Sequence, residues 1–216
     1  MLRTAREYLK SLLPFTSFTK KDPALSAVLA LAARHDYERT HSHRVANFAL
    51  SLFDDLQPIH RLDSQARFWL KCAAILHDIA KSSGKAHHKE VLRIVLRSSD
   101  LPFNVETRRI IGLVARYHRK SAPGLKHRHF AVLTRSQREV VTQLAAILRF
   151  ADALDSGHQG LVKTLRCDIE SNQIIGRCAT TRGGKKRRTI ERKARQKGVL
   201  LEKVFGRKLT IDWCKG

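Results

Sequence analysis

An apolar segment that ends in two adjacent polar side chains is the strongest constraint on the fold of this chain. Residues 68–76 are almost entirely apolar, and His77 and Asp78 follow them directly. A run of this length and composition predicts a core helix. A core helix that ends in a His-Asp pair is unusual for a purely structural segment, because imidazole and carboxylate groups are side chains that bind divalent metals.

Hydrophobic periodicity predicts a mainly α fold, arranged as a helical bundle. Asp22 and Pro23 supply a cap and a first helical residue, and Pro58 is expected to end the second helix. After the helix that starts at Pro23, further helices are predicted over residues 38–56, 64–80, 88–96, 106–117 and 135–154.

The character of the chain changes after residue 158. The predicted elements there are two strands with a turn at Ser171-Asn172, a helix and a third strand, over residues 165–170, 173–180, 185–205 and 209–213. They predict a small α+β appendage. The expected organisation is a basic amphipathic N-terminal segment over residues 1–22, a helical domain over 23–158 and a small basic α+β appendage over 159–216.

The net charge of +23 implies a polyanionic partner. Nucleic acid, polyphosphate, nucleotides and an anionic membrane surface all meet that description, and the N-terminal segment can lie on such a surface or pack on the domain. No apolar stretch approaches the roughly 20 residues of a transmembrane helix. The cysteines include no C-x-x-C pair, which argues against a thiolate zinc site and favours reduced thiols in a cytoplasmic protein.

Further His and Asp residues lie at the ends or edges of other predicted helices. The predicted metal ligands are His41, His77, Asp78, His88, His118 and Asp152. Asp78 can bridge two ions, with His88 and His118 on the second. Such ligands suit Mn, Fe, Co, Ni or Zn, with Mg²⁺ as a further candidate, so one or two divalent ions are expected. Taken singly, each residue is equally compatible with a polar helix end or a solvated loop.

Asp78 and Lys81 are the predicted catalytic residues, because a metal-activated water and a nearby amine can act together on a phosphate. Lys81 lies one turn after the His-Asp pair, where it can meet phosphate oxygens or the leaving group. Arg116, Arg119 and Lys120 flank His118 and are predicted to bind phosphates. The remaining histidines have no clear role and are expected at the surface; they are His35, His43, His60, His127, His129 and His158.

The densest basic stretch lies near the start of the last predicted helix. Lys185, Lys186, Arg187 and Arg188 are predicted to bind substrate phosphates without reading sequence. The competing interpretation is a solvated basic loop. Aromatic residues are scarce in this region, so base stacking on a single strand is not favoured.

Five segments that contain these residues carry a family resemblance. They are His41-Ser42-His43-Arg44-Val45-Ala46, Leu76-His77-Asp78-Ile79-Ala80-Lys81, His87-His88-Lys89, Ala115-Arg116-Tyr117-His118-Arg119-Lys120 and Leu148-Arg149-Phe150-Ala151-Asp152-Ala153-Leu154-Asp155. Over residues 23–213 the chain resembles the C-terminal HD-type region of the exopolyphosphatase/guanosine-pentaphosphate phosphatase family. The resemblance implies an HD-type helical bundle, a metal site with the ligand order His, His-Asp, Asp, and a basic tail along a polyphosphate-binding groove.

The resemblance also sets a limit on function. Members of that family carry an actin-like N-terminal domain that performs polyphosphate hydrolysis, and no segment of the 216 residues resembles it. Exopolyphosphatase activity is therefore not expected to carry over. The leading hypothesis is a metal-dependent phosphohydrolase acting on a phosphate-rich substrate such as a nucleotide, alarmone or polyphosphate.

Two alternatives remain open at this stage. One is a non-catalytic module that binds polyphosphate, nucleotide or RNA, and the other is a subunit of a separate actin-like phosphatase. The expected partners are a phosphate-rich small molecule or polyphosphate, with non-specific nucleic acid as a further candidate. A homodimer is expected only by analogy with the resembled family.

Overall fold

The computed structural model describes residues 22–35, 37–81, 87–180 and 184–215, and the side chains of residues 87, 88 and 215 are outside that description. The predicted amphipathic segment over residues 1–22 lies almost wholly outside the described residues. The helices are α1 (Pro23–Arg34), α2 (Arg39–His60), α3 (Ser64–Leu76), α4 (His87–Arg97), α5 (Val105–Arg116), α6 (Arg128–Ala131), α7 (Arg135–Leu154) and α8 (Lys185–Phe205). The strands are β1 (Val162–Ile169), β2 (Gln173–Thr180) and β3 (Lys208–Lys215).

The predicted fold class, mainly α with a small α+β appendage, is confirmed. Helix α3 lies inside the bundle, where it packs against α1, α2, α5 and α7. Its residues Leu70, Ala73, Ile75 and Leu76 are fully buried. This burial explains why the segment before the His-Asp pair is apolar on nearly every side rather than on one stripe. No helix of the described residues is both long and apolar enough to cross a membrane.

Side-chain caps fix where several helices begin. Asp22 accepts hydrogen bonds from the amides of residues 24 and 25 ahead of Pro23, as the sequence predicts. Asp63 caps α3 and Asn104 caps α5 in the same way. Thr134 forms a capping box with Gln137 at the start of α7. These caps satisfy amide groups that the first turn of each helix leaves without an intrahelical partner.

Two predicted helix ends are wrong. Pro58 lies inside α2, which continues to His60 and ends at Arg61 in a left-handed conformation. Because Pro58 stands in the last turn, it costs the helix only one backbone hydrogen bond. The third helix ends at Leu76 rather than at residue 80, and His77 to Ala80 form turns. The His-Asp pair therefore follows the helix instead of belonging to it.

The appendage is a three-stranded sheet with one covering helix. β1 and β2 form the predicted antiparallel hairpin, whereas β3 pairs with β2 in parallel. Helix α8 makes the crossover that a parallel pair requires. At Gly198 of α8 an added Cβ would lie 2.5 Å from Leu209 Cδ2 and 3.6 Å from Phe150 Cδ2. The absence of a side chain lets α8 approach both β3 and α7.

One hydrophobic core joins the bundle and the appendage. Buried residues from α1 to β3, among them Leu25, Phe150, Leu165, Ile174 and Ile211, belong to a single cluster. The appendage is therefore held in place on α2 and α7 by apolar contacts. Through this packing α8 reaches the polar residues at the end of α7.

The cysteines predict a sharp difference in thiol reactivity. Cys72, Cys167 and Cys178 are buried and reduced, and Cys214 is exposed. Burial raises the pKa of Cys72 and Cys178 to about 12 and raises that of Cys167 as well. Because the thiolate is the reactive species, we expect one fast thiol in the native protein and four after denaturation, measured with Ellman's reagent at neutral pH. Cys214→Ser should abolish the fast phase. Three or more fast thiols in the native wild-type protein would contradict this packing.

Candidate metal centre

Buried histidine and aspartate side chains from four parts of the bundle meet between the helices. We call them the His/Asp cluster; its members are His41, His77, Asp78, His118 and Asp152. The three imidazoles are 0–2% exposed, and the two aspartate side chains are 11% and 10% exposed. The structure thus brings together every predicted metal ligand except His88, whose side chain lies outside the described residues.

Two of the histidines occupy equivalent positions just after a helix. His77 Nδ1 donates to the Ala74 carbonyl at 2.7 Å, and His118 Nδ1 donates to the Ala115 carbonyl at 2.6 Å. Each bond satisfies a carbonyl that the last turn of α3 or α5 leaves without an intrahelical partner. Because a carbonyl oxygen only accepts, the proton is on Nδ1, and Nε2 presents its lone pair to the cluster. Asp78 lies between them, with Oδ2 3.8 Å from His77 Nε2 and Oδ1 3.4 Å from His118 Nε2.

The third histidine, His41, comes from the first turn of α2. Its Nδ1 donates to Asp155 Oδ2 at 2.9 Å, so that Nε2 faces the cluster. His41 Nε2 lies 3.2 Å from His77 Nε2 and 3.5 Å from Asp152 Oδ1. Ligand atoms bound to one ion at about 2.1 Å stand roughly 3–3.5 Å apart. The potential ligand atoms of His41, His77 and Asp152 all lie within 4.8 Å of one another, and this buried group can hold a metal ion.

The protonation states leave the cluster suited to a cation. Burial opposes the charged form of His41, but hydrogen bonds to Asp152 and Asp155 outweigh it and raise the pKa of His41 to about 9. Burial lowers the pKa of His77, and burial together with the neighbouring His77 lowers the pKa of His118 to about 3. His77 and His118 are therefore uncharged and the carboxylates are ionised, while His41 holds one additional proton. This donor set fits a divalent transition metal.

Asp155 holds the edge of the His41 ring that faces away from the cluster. Its side chain is 2% exposed, and it also accepts hydrogen bonds from Arg44 at 3.0 Å and from the Gly160 amide at 2.9 Å. Burial raises the pKa of Asp155, but the hydrogen bonds from His41 and Gly160 outweigh burial and hold that pKa below its usual value. Gly160 has a φ of +58°, and an added Cβ would lie 2.8 Å from the Arg44 guanidinium. Carboxylates that orient ligating histidines in this way are common behind metal ions.

Lys197 of α8 is a contact that the sequence did not reveal. Its amine forms an ion pair with Asp152 Oδ2, while Oδ1 of the same carboxylate faces His41 and His77. Burial raises the pKa of Asp152, but Lys197 and His41 outweigh burial and hold it well below its usual value. Forty-five residues separate the two partners, and a single Lys within a basic helix carries no signal of such a contact. The appendage thus contributes directly to the charge balance of the cluster.

His158, expected at the surface without a clear role, is partly exposed and contacts the cluster. Its ring stacks on His41 with centroids 3.8 Å apart, and its Nδ1 lies 2.6 Å from Glu38 Oε2. His158 joins His41 and Asp78 in a second group that can hold a metal ion. Glu38 also pairs with Lys81 at 3.3 Å. The predicted catalytic Lys81 therefore stands at the exposed rim of the cluster, linked to it through Glu38 and His158.

His60 is buried, contrary to the predicted surface location. Its Nε2 donates to the Phe53 carbonyl at 2.7 Å, and its Nδ1 accepts from the Leu62 amide at 2.9 Å. Both ring nitrogens are thus used to close the end of α2. Burial lowers the pKa of His60, which agrees with an uncharged structural residue.

The predicted phosphate-binding residues fall in two places. Arg116 ends α5, and Arg119 and Lys120 lie in the turn after His118, where Arg149 donates to the carbonyls of residues 117 and 120. The second group, Lys185, Lys186, Arg187 and Arg188, forms the first turn of α8. Ten residues of helix, or about 15 Å, separate Arg187 from Lys197. The basic turn therefore lies well along α8 from Lys197 and is not part of the cluster.

Replacing a cluster carboxylate should weaken metal binding. We expect chelator-treated protein to take up Mn²⁺ or Zn²⁺ stoichiometrically, and we expect Asp152→Asn to weaken that binding by more than about 100-fold. Isothermal titration calorimetry and metal analysis after gel filtration would measure both. Asp100→Asn is the matched control, because Asp100 is an exposed carboxylate paired with Arg34. Equal affinities for the two variants would contradict the assignment of a metal site to the cluster.

A second variant tests the support behind His41. Asp155→Asn removes the buried charge that holds His41 and Arg44, and we expect it to lower metal affinity by about 10–100-fold. In the metal-free protein the free energy of unfolding should fall by about 3 kcal/mol, measured by urea denaturation. If stability falls while metal affinity is unchanged, Asp155 is a structural residue with no effect on the ligand.

Comparison with known families places the chain in one of them. Residues 25–178 match the family model described as Ppx/GppA phosphatase, domain III, which is more than half of the 216 residues. No curated protein matches the chain. The matched region contains the whole His/Asp cluster and ends within β2, so that α8 and Lys197 lie outside it. By this match the chain belongs to the Ppx/GppA phosphatase family, through its domain III.

Proposed function

We propose that this chain is a metal-dependent phosphohydrolase of the HD type, acting on a phosphate-rich substrate such as a nucleotide, alarmone or polyphosphate. The observation that carries the proposal is the buried group of His41, His77 and Asp152, whose potential ligand atoms lie within 4.8 Å of one another. Asp78 Oδ2 lies beside this group, 3.8 Å from His77 Nε2 and 4.0 Å from His41 Nε2. The family membership supports a phosphatase context. The order of the ligands along the chain, His, His-Asp, Asp, supports the HD type.

In this proposal His41, His77, Asp78 and Asp152 would hold one divalent ion. His118 Nε2 lies 3.4 Å from Asp78 Oδ1, so His118 and Asp78 together would be suited to hold a second ion. A divalent ion, when bound, supplies Lewis-acid activation of a phosphoryl group and of water. Asp152 offers Oδ1 alone, because Lys197 occupies Oδ2.

Residues of the chain would orient the substrate. Burial raises the pKa of Asp78, but His77 and His118 outweigh burial and keep that pKa below its usual value, so the carboxylate can accept a hydrogen bond from an attacking water. Lys81 is 55% exposed at the rim and can donate to phosphate oxygens or to the leaving group. Arg119 and Lys120 follow His118 in the chain and add positive charge next to it.

A substrate panel tests the proposal. We expect metal-loaded wild type to release phosphate from at least one of polyphosphate, guanosine tetraphosphate, nucleoside mono- and triphosphates or a simple phosphomonoester. His77→Gln and Asp78→Asn should reduce the rate to background, and Asp100→Asn should not change it. Activity that persists in both cluster variants would overturn the proposal. So would a wild type with metal bound that turns over none of these compounds.

The second outcome would favour a non-catalytic module for polyphosphate, nucleotide or RNA. The observation behind that alternative is the basic first turn of α8, where Lys185, Lys186 and Arg188 are exposed. Binding of this kind falls steeply with salt concentration. It would survive Asp78→Asn and weaken when Lys185, Lys186 and Arg188 are replaced by Gln.

A further inference from the structure

A cavity of about 270 Å³ opens beside the turn that carries His118. We call it the basic pocket; it is lined by Lys89, Arg116, Tyr117, Ser121, Lys126 and His127. Among the described residues, no carboxylate contributes to its wall. A water molecule occupies about 30 Å³ in the liquid, so the pocket has room for a phosphoryl group together with part of its hydration shell.

Within the part of the chain that the structure describes, the cations of the basic pocket pair with no carboxylate. Across the described ranges, no ion pair joins Lys89, Arg116 or Lys126 to an acidic residue, although the Arg116 guanidinium lies over the Tyr117 ring at 5.6 Å. All three cations act on His127: burial lowers its pKa, and Arg116, Lys126 and Lys89 lower it further. Like charges gathered around one cavity repel one another. An anion in the cavity would relieve that repulsion.

The uncharged groups of the pocket also offer donors. The Tyr117 hydroxyl lies 2.8 Å from His127 Nδ1, within hydrogen-bond distance. Ser121 adds a hydroxyl to the lining. The lining therefore presents ammonium, guanidinium and hydroxyl groups, which match the oxygens of a phosphoryl group.

The basic pocket and the His/Asp cluster share one turn of the backbone. Tyr117 lines the pocket, and the next residue, His118, faces Asp78 at 3.4 Å. Consecutive Cα atoms are about 3.8 Å apart, so the two sites lie on either side of this turn. Arg149 of α7 donates to the carbonyls of residues 117 and 120 at 3.4 Å and 2.6 Å and fixes the turn in place.

From this arrangement we infer that the basic pocket is a phosphate subsite for a second phosphoryl group of the substrate. The inference rests on the proposed function for its catalytic consequence, and it narrows the substrate class. While one phosphoryl group lies at the His/Asp cluster, another group of the same molecule occupies the basic pocket. Compounds with two or more phosphoryl groups are then preferred over phosphomonoesters.

Binding to the metal-free protein tests the subsite alone. The pocket variant is Lys89→Gln/Lys126→Gln, and the control is Lys163→Gln/Lys208→Gln, which removes the same charge from exposed positions on the sheet. With chelator present, we expect tripolyphosphate to bind the pocket variant at least about tenfold more weakly than wild type. The control should change by less than about twofold, because only general charge is lost. If both double variants bind tripolyphosphate equally more weakly than wild type, the basic pocket is not a phosphate subsite.

Turnover separates this inference from the proposed function. In metal-loaded protein the ratio of kcat/KM for tripolyphosphate to that for 4-nitrophenyl phosphate should fall at least about tenfold in the pocket variant. If wild type hydrolyses these compounds and the ratio is unchanged, the subsite is refuted and the phosphohydrolase stands. If wild type hydrolyses neither, while the pocket variant alone loses tripolyphosphate binding, the phosphohydrolase fails and the subsite stands as a binding site.

Discussion

Three imidazole rings can face one another in the bundle because each has its Nδ1–H engaged by a fixed acceptor. For His77 and His118 the acceptors are carbonyls at the ends of α3 and α5, and for His41 the acceptor is Asp155. Buried polar groups are costly without such partners. The same bonds leave each Nε2 directed at Asp78 or Asp152. The ends of α3 and α5 and the arrangement of the His/Asp cluster therefore depend on shared hydrogen bonds.

The appendage completes the charge balance of this centre. Gly198 lets α8 approach β3 and α7, and the preceding residue, Lys197, pairs with Asp152. Because bundle and appendage share a hydrophobic core, this ion pair is held by packing rather than by the two side chains alone. A change in the packing of α8 would therefore alter the electrostatics of the cluster without touching a ligand.

The sequence predicts the helices and the members of the His/Asp cluster well, because both leave local patterns. The predicted bounds of α7 and α8 agree with the observed ones at both ends, and Asp22-Pro23 correctly predicts the start of α1. The roles of Asp155, His158 and Lys197 arise only from contacts between segments far apart in the chain, which no local pattern records. The turn at His77 shows the same limit. An apolar run predicts burial of α3, but the hydrogen bond to Ala74 that ends it appears only in three dimensions.

The central claim is that the His/Asp cluster binds a divalent metal through imidazole and carboxylate groups. X-ray absorption spectroscopy of the Co²⁺-loaded protein tests it most directly, because imidazole rings give a characteristic outer-shell scattering pattern. The account predicts a first shell of nitrogen and oxygen only, with outer-shell scattering from at least two imidazoles that is lost in the His77→Gln variant. A sulfur shell, or an oxygen-only shell without imidazole scattering, would contradict it.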